Sequence, residues 1–316
     1  MATNIISTKS NMTQEEKDYL WPLLPLDAWK KTYETLHMWT QVVGKVKLEL
    51  CPFLNQWWEV GFPVTARGLT TSLIPSPTGA FQVTFDFINH NLSLLTSDGK
   101  RKNLALMPRS VADFYQHFMT ALNALGIQVK INTMPSEVEN PIPFEQDHTH
   151  NSYDPEYVNR WWRILVQVDK LFQQYRSYFI GKSSPVLFYW GTFDLAESRY
   201  SEKRATPPPG ANRIVRLSEN QETIESGFWP GSGKVQAPAF YSFTYPKPAG
   251  LENTLIHPNA AQYNTDMGEF ILLYEDVRKA TSPERALLEF FQSTYEAGAT
   301  LAHWNRQGLE QQPPNL

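Results

Sequence analysis

Two groups of side chains have types and spacing that suit chemistry. The first is Arg67, Arg199, Asp194 and His37. Arginine presents a planar fork of donors that matches a carboxylate or phosphate, and it keeps its charge at physiological pH. Asp194 falls in 185–199, a run that is apolar on both sides. An ionised carboxylate buried there without a partner costs several kcal/mol or has its pKa driven upward, so a cation or a wet cleft must reach it. His37, between Leu36 and Met38, suits proton exchange. Its plain alternative is a packed histidine with one satisfied hydrogen bond.

With Trp58 and Trp190 to pack a ligand, this group fits recognition or conversion of a small polar or anionic molecule. Arg67 and Arg199 would hold negative charge, while Asp194 and His37 would orient the ligand or exchange protons. The rival is a non-catalytic scaffold or oligomeric interaction protein, in which Asp194 and the arginines form a structural ion-pair network.

The second group is Asp147, His148 and His150, inside the polar run 145–154. A transition metal needs carboxylates and neutral imidazoles converging on one point, and two histidines one residue apart on extended chain point the same way. Neither a cysteine pair nor a His-Glu-x-x-His helix accompanies them, so the bland reading is an exposed polar connector. Gly227-Phe228-Trp229-Pro230-Gly231-Ser232-Gly233 lacks the Gly-Lys-Ser/Thr ending of a phosphate loop and reads as an aromatic lid or packing loop. No motif names a cofactor.

These residues need elements to position them. Trp29, Tyr33, Leu36, Val43 and Val46 recur at helical spacing and predict a helix over 27–47. Alternation predicts strands over 57–66, 81–95 and 185–199, with Asp98-Gly99 as a hairpin turn into 102–107. Ser110 caps a helix over 111–125 that Gly126 stops; 127–131 follows as a short strand. Asp154-Pro155 and Ser282-Pro283 open two more helices. Further strands are predicted over 239–245 and 269–274.

The landmarks recur. Trp58 and Arg67 stand nine residues apart, as do Trp190 and Arg199. Each pair follows a long aromatic helix ending in Gly-Lys, at Gly44-Lys45 and Gly181-Lys182. Each precedes a helix opening Asp113-Phe114-Tyr115-Gln116 or Glu289-Phe290-Phe291-Gln292. The order predicts an α+β fold with internal duplication: two helix, antiparallel sheet, helix halves packed together. The halves are 21–131 and 155–306, the second with an insertion over 201–233. They are joined by a 132–154 connector and flanked by a flexible 1–20 arm and a 307–316 tail. A groove between such halves is a natural binding site.

The runs Trp21-Pro22-Leu23-Leu24-Pro25-Leu26, Thr35-Leu36-His37-Met38-Trp39-Thr40-Gln41, Thr65-Ala66-Arg67-Gly68-Leu69-Thr70-Thr71, Pro108-Arg109-Ser110-Val111-Ala112-Asp113-Phe114-Tyr115, Gly227 to Gly231 and Phe290-Phe291-Gln292-Ser293-Thr294-Tyr295-Glu296-Ala297 resemble a bacterial family catalogued only as a domain of unknown function. The resemblance spans about 21–304. It implies a bacterial, cytoplasmic protein and carries no activity, ligand or catalytic residue across.

Composition narrows the partners. The 28 Lys and Arg against 32 Asp and Glu give −4, without the basic footprint that nucleic acid demands. No apolar run approaches the ~18 residues of a membrane span, and 1–15 lacks a basic then apolar export pattern. The expectation is a soluble, cytoplasmic protein, with no oligomeric state set by the residues. Cys51 is the only cysteine, so no intrachain disulfide forms; it reads as a small apolar side chain.

Overall fold

A computed structural model describes residues 13–311. Among them the fold is α+β, with eight α-helices and two antiparallel sheets of six strands each. Helices α1 (Gln14–Leu20) and α2 (Leu26–Leu50) precede the first sheet. Its strands are β1 (Val64–Thr65), β2 (Gly68–Thr70), β3 (Ile74–Ser76), β4 (Gly79–Asp86), β5 (Asn91–Thr96) and β6 (Arg101–Ala105). They run β1-β2-β4-β5-β6, with β3 also on β4, and α3 (Val111–Ala124) follows.

Helix α4 (Pro155–Arg176) leads into the second sheet: β7 (Leu187–Tyr189), β8 (Asp194–Arg204), β9 (Gln221–Trp229), β10 (Ala239–Tyr245), β11 (Gln262–Asn264) and β12 (Glu269–Leu273). Its order is β11-β12-β10-β9-β8-β7. Helix α5 (Arg213–Ser218) interrupts the β8 to β9 connection, and α6 (Tyr274–Lys279), α7 (Pro283–Leu301) and α8 (Arg306–Leu309) close the chain.

The helix starts follow from their caps. Ser110 Oγ accepts from Asp113 N at 3.1 Å, and the Asp154 carboxylate accepts from Glu156 N and Tyr157 N at 2.9 and 3.2 Å. Each supplies a partner to amides that a helix cannot pair internally. In β4, Phe81, Val83 and Phe85 are fully buried while Gln82, Thr84 and Asp86 are half-exposed, as a sheet with one packed face requires. The two sheets meet where Phe62 and Phe188 exchange both backbone hydrogen bonds at 2.9 Å. Trp161 of α4 fills the junction, with ring centroids 4.8 Å from Phe193, 5.4 Å from Phe188 and 5.7 Å from Phe87.

Several predicted elements are redrawn. The 57–66 strand is a turn followed by the two residues of β1, because Gln56 and Trp57 take left-handed backbone (φ 53° and 61°) and the Glu59 carboxylate closes the turn on Leu54 N at 3.0 Å. The 81–95 run folds back at 87–90 into β4 and β5. Likewise 185–199 is a hairpin, β7 and β8, turning at 190–193 where Phe193 has φ 61° and its N–H reaches Tyr189 O. Residues 127–131 pair with no strand. Of the 201–233 stretch, 221–229 is β9, a central strand.

Each sheet is antiparallel with a long helix before it and another after it, but the landmark register does not hold residue by residue. Gly44-Lys45 lies inside α2, whereas Gly181-Lys182 follows α4. Trp58 precedes β1, whereas Trp190 sits in the β7 to β8 turn; Arg67 lies in the β1 to β2 turn, whereas Arg199 is within β8. Of the predicted flexible arm, Gln14–Leu20 is helix α1, capped by Thr13, and 1–12 lies outside the described residues, as does 312–316 of the tail. Among the described residues no helix is long and apolar enough to cross a membrane.

Candidate functional site

Consecutive side chains leave a strand on opposite faces. On β8, Glu197 and Arg199 face α4 and α7, while Asp194, Ser198 and Tyr200 face a cavity of about 310 Å3. The open face of the second sheet is its floor. Leu48 at the end of α2, Gln56, Trp57 and Val60, and Ser136 with Glu137 form the walls, and α5 with Glu219 closes the remaining side.

The floor depends on one glycine. A Cβ on Gly227 would run into the Tyr241 ring, so its absence lets the phenol lie across β9 and reach two carboxylates. Tyr241 OH donates to Asp194 Oδ2 at 2.5 Å and stands 3.2 Å from Glu225 Oε1. Thr192 Oγ1 donates to Asp194 Oδ1, and Ser198 Oγ donates to Glu225 Oε2 at 2.6 Å. Asp194 thus has a donor on each oxygen. A phenol has a single proton, so Glu225 Oε1 keeps unused acceptor capacity.

Among the described residues no lysine, arginine or histidine lines the cavity, but four carboxylates do: Glu137, Asp194, Glu219 and Glu225. All four are pushed above the usual carboxylate range. Burial is the main cause for each; the Asp194 charge adds to it at Glu137 and at Glu225, which is pushed up to about 7. Glu269 of β12 is raised to about 7 by the same pair of causes. Two lysines stand behind the walls, each satisfied by neutral groups: Lys45 Nζ donates to Ser136 Oγ at 3.1 Å, and Lys182 Nζ donates to Gln56 Oε1 and Gln221 Oε1 at 2.8 and 2.7 Å and lies over the rings of Tyr200 and Trp58. Four aromatic side chains that can face a cation, Trp57, Tyr189, Trp190 and Tyr200, line the cavity as well.

Strained backbone gathers around this cavity. Left-handed conformations at non-glycine residues cost about 1–3 kcal/mol each and persist where the surroundings over-determine them. Gln56 is held by Asn220 Oδ1, Trp57 by its Nε1–H donating to Ile214 O at 3.1 Å, and Phe193 by the rings of Trp161 and His37.

Of the residues singled out by sequence, Trp190 and Asp194 are brought together in the cavity. Trp190 Nε1–H donates to Val60 O at 2.9 Å, and its indole lies so close to Gly44 of α2 that a Cβ there would clash. His37 supports the wall from behind, with Nε2 2.9 Å from Gly191 O. Burial lowers its pKa to about 4, so it is neutral near pH 7 and its Nε2–H donates to that carbonyl. Trp58 packs on Tyr200 outside the lining.

The arginines lie elsewhere. Arg67 is exposed and paired with Asp86 at 2.8 Å. Arg199, with its side chain 1 % exposed, lies on the helix-covered face of β8 among the rings of Tyr175, Phe179 and Tyr295. Strand parity alone separates it from Asp194, since the two positions are five apart, an odd number, and successive side chains alternate. Asp147 is buried and accepts from Thr149 N, His150 N and His150 Nδ1, while His148 is exposed. Among the described residues no three His, Cys, Asp or Glu side chains converge as a metal site requires.

Sequence reasoning missed Glu225 and Tyr241. Their signal was register: Ser198 pairs with Glu225 and Gly227 with Tyr241 across neighbouring strands. It was unreadable while 201–233 stood as an insertion.

Neither a curated protein nor a solved structure matches the chain. One family model does, over residues 21–311, and its description is a family of unknown function, DUF5996. That match covers nearly all of the molecule, cavity and both sheets included, and the chain therefore belongs to the DUF5996 family.

Proposed function

We propose that the protein recognises a small molecule bearing positive charge in the cavity on the open face of the second sheet. The observation that carries this is the lining itself, which among the described residues holds four carboxylates without one cationic side chain. It replaces the anionic ligand that Arg67 and Arg199 suggested, since neither arginine lines the cavity. Like charges confined together raise one another's pKa, and an opposite charge within ~4–6 Å lowers it. A bound cation relieves the repulsion. Glu225 Oε1 offers the free acceptor, the Ser198 hydroxyl on Oε2 fixes the position of Glu225, and the faces of Trp57, Tyr189, Trp190 and Tyr200 attract a cation through their quadrupoles. A volume of about 310 Å3 is at the small end of ligand sites.

Thermal unfolding in propylammonium, propanol and propionate at equal ionic strength tests this reading. A ligand that binds only the folded state stabilises it by RT ln(1 + [L]/Kd). Propylammonium is expected to raise the midpoint in a saturable manner at pH 8, and propanol and propionate are not; Glu225→Gln should abolish the effect. Stabilisation by propionate, or an unchanged response in Glu225→Gln, would overturn the proposal.

A further inference from the structure

The mouth of the cavity differs in character from its floor. Leu48 and Ile214 line it and are 37 % and 41 % exposed. Beside them Phe53 and Leu54 are 48 % and 50 % exposed. These side chains come from three segments, the end of α2, the 52–58 turn and α5, and Trp57 ties the last two together. Its ring meets Phe53 edge-on at 5.0 Å, its backbone N–H bonds Leu54 O at 3.2 Å, and its indole N–H bonds Ile214 O. Scattered exposed apolar residues are ordinary, but a contiguous group at the rim of a cavity marks a surface that something apolar covers. The exposed patch and the carboxylates are therefore two ends of one site.

The rim also carries a charge of the wrong sign for a second ammonium. Arg213 lies over the Trp57 ring at 5.5 Å from its centroid, and no carboxylate ion-pairs with it among the described residues. Positive charge is favoured at the floor and disfavoured at the mouth.

Resting on the cation reading, we propose that the site takes an amphiphilic monoamine, with its ammonium at Glu225 and Asp194 and its apolar chain leaving past Trp57 to cover Leu48, Phe53, Leu54 and Ile214. The carboxylates set the head group. The rim sets the length and apolarity of the tail and rejects a diamine.

The test is a calorimetric titration of the full-length protein with n-alkylammonium ions from propyl to octyl, and with 1,8-diaminooctane, at pH 8. Each methylene buried on the rim should tighten binding about fourfold, and the diamine should bind at least tenfold more weakly than octylammonium. Replacing Phe53 and Leu54 by serine, both about half exposed and outside the cavity lining, should flatten the chain-length series and leave propylammonium unchanged. Propylammonium binding with no gain from propyl to octyl overturns the amphiphile proposal alone. A gain that survives in the Phe53→Ser, Leu54→Ser protein places the tail elsewhere and overturns it too. Absence of binding by every amine overturns this proposal and the cation reading together.

Discussion

Asp194 and Glu197 stand three residues apart on β8, and both are buried, yet they face different worlds. Glu197 points to the helices, with Arg199 Nε and Arg176 Nε at 3.9 and 4.0 Å. Those distances provide charge neutralisation without hydrogen bonds: both Glu197 oxygens and both Nε atoms lack a hydrogen-bond partner. The guanidinium of Arg199 is held instead by Tyr175 O at 2.5 Å and by the Tyr175 ring, 3.3 Å away. Asp194 has the opposite provision, with hydroxyl donors on both oxygens and, among the described residues, no cationic side chain in the cavity it faces. A buried charge with a counter-charge is part of the framework. A group of carboxylates with hydrogen bonds and no counter-charge is a place where charge is still wanted.

The largest effect should come from the helix-facing side. Arg199→Met strands Glu197 and is expected to cost about 3–5 kcal/mol in chemical denaturation. Adding Glu197→Gln should recover most of that, because the stranded charge is gone. A cost below about 1 kcal/mol for the single variant would mean that Arg199 is not the structural partner of Glu197.

Next is a pH effect on the cavity side. Glu225 is raised from an ordinary 4.5 to about 7 in the folded protein. Its protonation therefore favours the fold: the contribution is complete below about 4.5 and is lost as pH rises through about 7. Glu197 and Glu269 are raised to about 7 as well, so the comparison must be with Glu225→Gln. Relative to that variant, the wild type should lose roughly 1–3 kcal/mol of unfolding free energy between pH 5 and pH 8. Parallel pH curves would place Glu225 in an ordinary solvated environment.

Gly44→Ala sharpens the comparison from the wall. The new methyl group meets the Trp190 indole and should cost about 1–3 kcal/mol by overpacking, with weaker propylammonium binding if Trp190 shifts. Retained stability with lost binding would show that the wall yields more readily than the fold. The smallest effect belongs to Arg67→Ala. Asp86 keeps the amides of Ile88 and Asn89 at 3.0 Å, and an exposed pair is worth at most about 1 kcal/mol. Binding should be unchanged.

Much of the scaffold was legible because local chemistry sets it. Helical spacing placed α2 and α4, Ser110, Asp154 and Ser282 marked helix starts, and alternation in 81–87 identified the packed face of β4. Left-handed backbone at Gln56, Trp57 and Phe193 was not legible, because tertiary contacts impose it on residues that do not favour it. That single difficulty turned two hairpins or turns into long strands and shifted the supposed repeat. Asp194 was recognisable from its own cost of burial. Its neighbours Glu225 and Tyr241 were not, because cross-strand partners are set by register, and register needed the turn at 190–193 and the correct course of β9.

The two faces of β8 are separated most directly by calorimetric titration of propylammonium at pH 8 into three folded proteins: wild type, Glu225→Gln, and Glu197→Gln combined with Arg199→Met. Binding within about twofold of wild type in the helix-facing double variant, with at least tenfold weakening in Glu225→Gln, is the expected result; this is a difference of about 1.4 kcal/mol or more. Retained binding in Glu225→Gln, together with loss in the double variant, would contradict the assignment of framework to one face and site to the other.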